Sequence, residues 1–240
     1  MHLPTIEYIG AAPVRRKRRN PLAGLLFLAL TLGGGFYVLR PHFLEASSAA
    51  ATESNLGAAL EEMATYQEPG PRLASAALSR TRTKSIPDSA YYSIPYPMGD
   101  IPENRGNAAD LIVRSFRDLG TDLQQLLHED ISTHFRSYPQ IFGSRSADSN
   151  IDHRRVANLQ RFFTRHSRSL PVSRNAEDYL AGDIVTWRLI DGTAHIGIVA
   201  PGPGTRADRK WVVHDIGSGP TWADCLFDFP LTGHYRYEFQ

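Results

Sequence analysis

The sequence predicts an α+β protein: N-terminal helices packed on an antiparallel sheet, preceded by one transmembrane helix. Three observations carry this prediction. Between Ala108 and Phe163 the apolar residues recur three and four apart, the helical period. From Asp183 onward short β-rich runs alternate with turn signals. Far upstream, Pro21 to Leu39 is a 19-residue run without a charge, close to the roughly 20 residues that cross a bilayer core as a helix.

Composition sets the frame for these elements. A chain of 240 residues, 42% hydrophobic and 21% charged, holds one sizeable domain plus appendages. A formal net charge of +1 gives no argument for nucleic acid as a partner. The basic residues are unevenly spread, with Arg15, Arg16, Lys17, Arg18 and Arg19 forming one block. A single cysteine, Cys225, rules out an intrachain disulfide and any cysteine-based zinc site.

The chain divides into four parts. Residues 1–20 read as a cytoplasmic basic tail and residues 21–39 as a transmembrane anchor. Residues 40–71 read as a solvated linker rich in Ala, Ser, Thr, Glu and Pro, and residues 72–240 as the folded domain. The basic block ahead of the apolar run places the N-terminus in the cytoplasm. The expected topology is therefore a single membrane crossing with the C-terminal domain outside the cytoplasm. A cleaved signal peptide is the rival reading; the small residues Ala46 to Ala51 that would suit cleavage lie well beyond the run. Within the linker, Ser54 to Ala64 suits a short helix.

The domain opens with a short helix near Leu73 to Leu78. A Pro/Gly-rich loop then runs from Tyr96 into a helix that begins at Ala108. Asn107 is its N-cap, and Asp110 stands where a capping box puts its acid. Ile112, Val113, Phe116 and Leu119 continue the apolar stripe. Thr121 or Asp122 caps a second helix, with Leu123, Leu127 and Ile131 on its buried side. A third starts at Asp152, striped by Val156, Leu159, Phe162 and Phe163. Strands follow at Asp183–Ile190 and His195–Ala200, joined by the hairpin signal Asp191-Gly192, then at Lys210–Gly217 and His234–Phe239.

Chemistry concentrates at the start of the Ala108 helix. Exposed N–H groups and the helix dipole there favour a thiolate, but the first helical residue is alanine. Two strand histidines, His195 and His214, suit the roles of base and orienting group in a nucleophilic hydrolase. Asp215 adjoins His214, and strand alternation lets only one of the two face that helix. Ser115 lies two turns into the helix, and Cys225 reads as a small half-buried hydrophobe. Arg154 and Arg155 suit carboxylate binding, as does an ordinary solvated face. His128, Glu129, Asp130 and His134 show no recognised metal spacing, so no metal and no cofactor are expected.

Six stretches in order, YPMGDIPENRG, DLIVRSFRDLG, NIDHRRVANLQRFF, GDIVTWRL with HIGIV, VVHDIG and LFDFPLTGHYRY, resemble the domain-of-unknown-function family 1287. Through it the chain resembles the NlpC-type, papain-like cell-wall cysteine peptidases and amidases. The resemblance implies a papain-like fold and a catalytic site at the helix start, with Ala108 at the nucleophile position in Arg105-Gly106-Asn107-Ala108-Ala109-Asp110. It implies His195 as base, His214 or Asp215 as the third group, and Asp110, Arg154 and Arg155 near substrate. The implied ligand is peptidoglycan or its peptide stem, and the implied location is the bacterial inner membrane, crossed once, with the C-terminal domain in the periplasm. With alanine at position 108 the expectation is a pseudoenzyme that binds peptidoglycan or an envelope protein partner. The alternatives are an inactivated form of an active amidase or endopeptidase, and a pure interaction module.

Overall fold

The computed structural model describes residues 53–203 and 210–239; the expected anchor at 21–39 lies outside the described residues. No helix among the described residues is long and apolar enough to cross a membrane.

Among the described residues five α-helices precede or flank the sheet: α1 (Glu53–Ala64), α2 (Pro69–Arg80), α3 (Ala108–Arg117), α4 (Leu123–His134) and α5 (Val156–His166). The stretch expected as a solvated linker is thus folded from Glu53. Leu56, Ala59 and Met63 of α1 are buried in the main core, because three-and-four spacing gathers them on one face. The helix at Ala108 begins where its N-cap predicts. Asn107 Oδ1 accepts from the N–H groups of Ala109 (2.8 Å) and Asp110 (3.3 Å), and Asp110 accepts from the N–H of Asn107 at 2.9 Å. Of the two candidate caps for α4, Asp122 is the one used, accepting from the Gln124 N–H.

The expected start at Asp152 is a correction. Asp152–Arg154 is a single 3-10 turn, and the regular helix begins only at Val156. Asp152 does not cap it; its carboxylate accepts from the Asp148 N–H at 2.6 Å and closes the preceding loop instead.

The sheet contains β3 (Arg168–Ser169), β4 (Ile184–Arg188), β5 (Ala194–Pro201), β6 (Lys210–His214), β7 (Thr221–Ala223) and β8 (Leu231–Arg236). The order is β3-β8-β4-β5-β6-β7, and every pairing within this sheet is antiparallel. The β4–β5 hairpin turns at Asp191-Gly192, where Gly192 takes φ 84°, a conformation that costs a residue with a Cβ. A separate two-residue parallel pair joins β1 (Ile86–Pro87) to β2 (Arg105–Gly106), immediately before α3.

Both sheet faces are buried, and they differ in what covers them. Ile184, Ile196, Ile198, Ala200, Val213 and Tyr235 belong to the main core with the helices. Phe116 sits at its centre, in ring contact with Phe163, Tyr237 and Phe239. The alternate residues Val185, Trp187, Val199 and Val212 form a second core with Tyr179, Cys225 and Leu226 from irregular segments. Asp183, 1% exposed, ties β4 to β8 by accepting from Arg236 (2.7 Å twice) and pairing with His234 (2.8 Å).

Candidate functional site

The strand period decides which residues reach the start of α3. On β5, Ile196 and Ile198 face the helices, so His195 faces away. On β6, Val213 faces the helices, so His214 faces away and Asp215 returns to the helix side. The contacts agree. His195 stacks on Trp187 of the second core, with ring centroids 5.7 Å apart. Asp215 lines a small cavity with Gly106, Asn107, Leu111, Arg80 and Arg114. Of the two neighbours, Asp215 is therefore the one that faces the helix start. The structure brings Asp215 to it, and leaves His195 and His214 on the far side of the sheet.

Asp215 has a local task there. Its Oδ1 accepts from the N–H groups of Gly217 (2.9 Å) and Gly219 (3.2 Å), holding a turn in which both glycines take positive φ. Burial pushes its carboxyl above the usual carboxylate range. The cavity has an interior of about 20 Å³, room for about one water molecule. Ala108 is 5% exposed and adds only a methyl group. Ser115, two turns on, is fully buried and donates to the Leu111 carbonyl.

Across the sheet lies a connection that strand reasoning missed. Cys225 Sγ is 3.3 Å from His214 Nε2, and His214 Nδ1 is 3.2 Å from His195 Nε2. The order of donors follows from one constraint. If the thiol donates to His214 Nε2, the His214 proton sits on Nδ1 and is donated to His195 Nε2. The layout is that of nucleophile, base and orienting group. Burial sets its chemistry: the thiol is pushed up to about 12, His214 down to about 4 and His195 down to about 3. Burial disfavours charge on the sulfur and on the imidazole alike, so the thiol keeps its proton. The sequence signal for this chain was weak, because Cys225 sits in an irregular segment. That segment is fixed to the sheet by Trp187, whose Nε1–H donates to the Leu226 carbonyl at 2.9 Å.

Asp110 and Arg154, expected near substrate, are committed elsewhere. Arg154 donates to both Asp110 oxygens (2.8 and 3.1 Å) and to the carbonyls of Asp88 and Ala90. Arg155 lies 4.3 Å over the Phe142 ring and donates to Ser144 and Asp152. His153, the remaining member of that cluster, is buried with no hydrogen-bond partner for Nδ1, and burial pushes it down to about 4. Among the described residues no group of three His, Cys, Asp or Glu side chains is arranged to hold a metal. Asp130 instead gathers Arg165, Tyr138, His134 and His166.

Residues 74–237 match the model of the family described as Domain of unknown function (DUF1287). The chain belongs to this family. The match spans every strand of the six-stranded sheet and helices α3 to α5, so the DUF1287 unit includes both sheet faces and the helix start. The chain is also similar to "Uncharacterized protein YijF" of Escherichia coli (strain K12). The two are 48% identical over 150 residues, covering 62% of this chain and 73% of that protein. No solved structure matches the chain.

Proposed function

We propose that this DUF1287 protein is a membrane-anchored, extracytoplasmic pseudoenzyme. In this reading its domain descends from NlpC-type cell-wall cysteine peptidases and binds peptidoglycan without cutting it. One observation carries the non-catalytic half of the reading: no usable thiolate stands at the helix start. Ala108 occupies that position, and the chain's single thiol, Cys225, is buried with its proton held. The intact capping box supports an old nucleophile helix, since it keeps N–H groups ordered where a thiolate would profit from them. The resemblance supplies the ligand class, and the 19-residue uncharged run behind RRKRR supplies the anchor and the periplasmic side.

The test is co-sedimentation of the full chain with purified sacculi, beside a control protein of similar charge. Retention above the control without release of muropeptides is the expected result. No retention removes peptidoglycan as the ligand and leaves an envelope protein as the partner to seek.

A further inference from the structure

The segment from Asp88 to Asn104 has almost no secondary structure, yet side chains from three other parts of the fold hold its backbone. Long irregular loops inside compact domains are uncommon and tend to carry function. Arg154 donates to the carbonyls of Asp88 (2.7 Å) and Ala90 (2.6 Å). Asn150 accepts from the Ile94 N–H at 2.9 Å. Gln124, 1% exposed, accepts from the Gly99 N–H (2.7 Å) and donates to the Pro95 carbonyl (2.9 Å). Asp122 accepts from the Met98 N–H at 2.6 Å. Arg114 donates to both oxygens of Asp100.

Three large side chains of this loop are exposed to solvent. Tyr91 is 60% exposed, Tyr96 41% and Met98 49%. Met98 has φ 63°, the one non-glycine residue with positive φ among the described residues. A strained, exposed apolar residue held by a buried clamp stabilises nothing by burial, so its gain lies in what it meets. The Tyr91 hydroxyl is fixed beside Asp148 (3.2 Å) and Asn150 (3.0 Å), which leaves the ring presented next to polar groups. Residues 88–104 contain three tyrosines and no Lys, Arg or His. A phosphate-bearing or carboxylate-bearing ligand would find no cation in the loop. A neutral chain of pyranose rings fits both features: its C–H faces lie on aromatic rings, and its hydroxyls reach carboxylate and amide oxygens.

We infer that the 88–104 loop is a glycan-binding platform, with Tyr91 and Tyr96 as its stacking rings. This rests on the peptidoglycan reading above and narrows it to the sugar strand rather than the peptide stem. The test is fluorescence anisotropy of end-labelled chitooligosaccharides, neutral β-1,4-linked N-acetylglucosamine chains with the ring backbone of the glycan strand, titrated with the full chain. The expected result is saturable binding that free stem peptides do not compete. Tyr91→Ala and Tyr96→Ala should each weaken it by roughly tenfold, as for one aromatic hot spot. Tyr91→Phe, which keeps the ring, should bind like wild type, and so should the remote Ile190→Ala. Sacculus retention with no binding to the neutral oligosaccharides overturns the glycan assignment and leaves the peptidoglycan reading standing. Binding unchanged in both tyrosine-to-alanine variants also overturns the assignment. Loss of both sacculus and oligosaccharide binding overturns the two together.

Discussion

Arg154 and Asp110 meet through two hydrogen bonds where neither side chain is more than 3% exposed. Asp110 also closes the capping box of α3, and Arg154 also holds the backbone at Asp88 and Ala90. The pair therefore fixes the helix start to the loop that precedes it. Breaking a buried pair by removing one partner strands the other charge away from water, at a cost of about 3–5 kcal/mol. Arg154→Ala is expected to lose about that much in urea unfolding. Arg155→Ala, taken from the neighbouring half-exposed position, should lose less than about 1 kcal/mol. Equal losses would mean that the Asp110 pair has no special weight.

The N-cap gives a smaller and cleaner number. Asn107→Ala removes the acceptor for two N–H groups while leaving the core intact. A loss of about 1 kcal/mol is expected, and Asn107→Ser should recover most of it. Thermal or urea unfolding reads both. A loss confined to alanine would identify the cap, whereas equal losses in both variants would point to the contact of Asn107 with Ser89.

Acid should destabilise the fold through its buried imidazoles. Burial holds His195 down to about 3, and His153 and His214 down to about 4, against an ordinary 6.5. Below pH 6.5 the unfolded chain takes up protons that the folded chain refuses, so stability falls as pH drops from 6.5 towards 4. Each histidine contributes roughly 3 kcal/mol over the full window. Asp152 and Asp215, raised by burial, bind protons more readily in the folded state and offset part of the loss. Urea midpoints measured from pH 7 to pH 4 should slope downward, and His214→Asn should flatten the slope. A flat wild-type profile would contradict neutral, buried imidazoles.

Much of this was legible in the sequence. Asn107 with Asp110 located the start of α3 to the residue, and Asp191-Gly192 located the hairpin. Both signals are local: a cap bond spans three residues and a turn spans four. What could not be read was which side of the sheet a histidine takes. His195 and His214 gave the right strands, but alternation assigns a face only once the helices have chosen theirs. Asp110 was legible as a capping acid, and Arg154 as a carboxylate binder or part of a solvated face. That they would find each other 44 positions apart depends on long-range packing that no local pattern encodes. Leu56, Leu60 and Met63 were legible as one side of a short helix, yet the polar composition around them argued for a linker. Docking on α2 settled the matter.

The placement of the histidines makes a prediction about restoring the absent nucleophile. Ala108→Cys, made in a Cys225→Ser background, puts a thiol on ordered N–H groups at the first turn of α3. Its pKa should fall below the ordinary 8.5, which the pH dependence of alkylation will report. Hydrolysis should nevertheless not return. His195 and His214 lie on the opposite sheet face, and the polar group that does face the helix start, Asp215, is tied to Gly217 and Gly219. In a serine-protease triad, losing the base alone costs about 10⁶-fold in turnover, so a low-pKa thiol without an imidazole partner should release no muropeptides from sacculi. Muropeptide release that disappears in His195→Ala would show that this imidazole reaches the helix start, and would overturn its assignment to the second core.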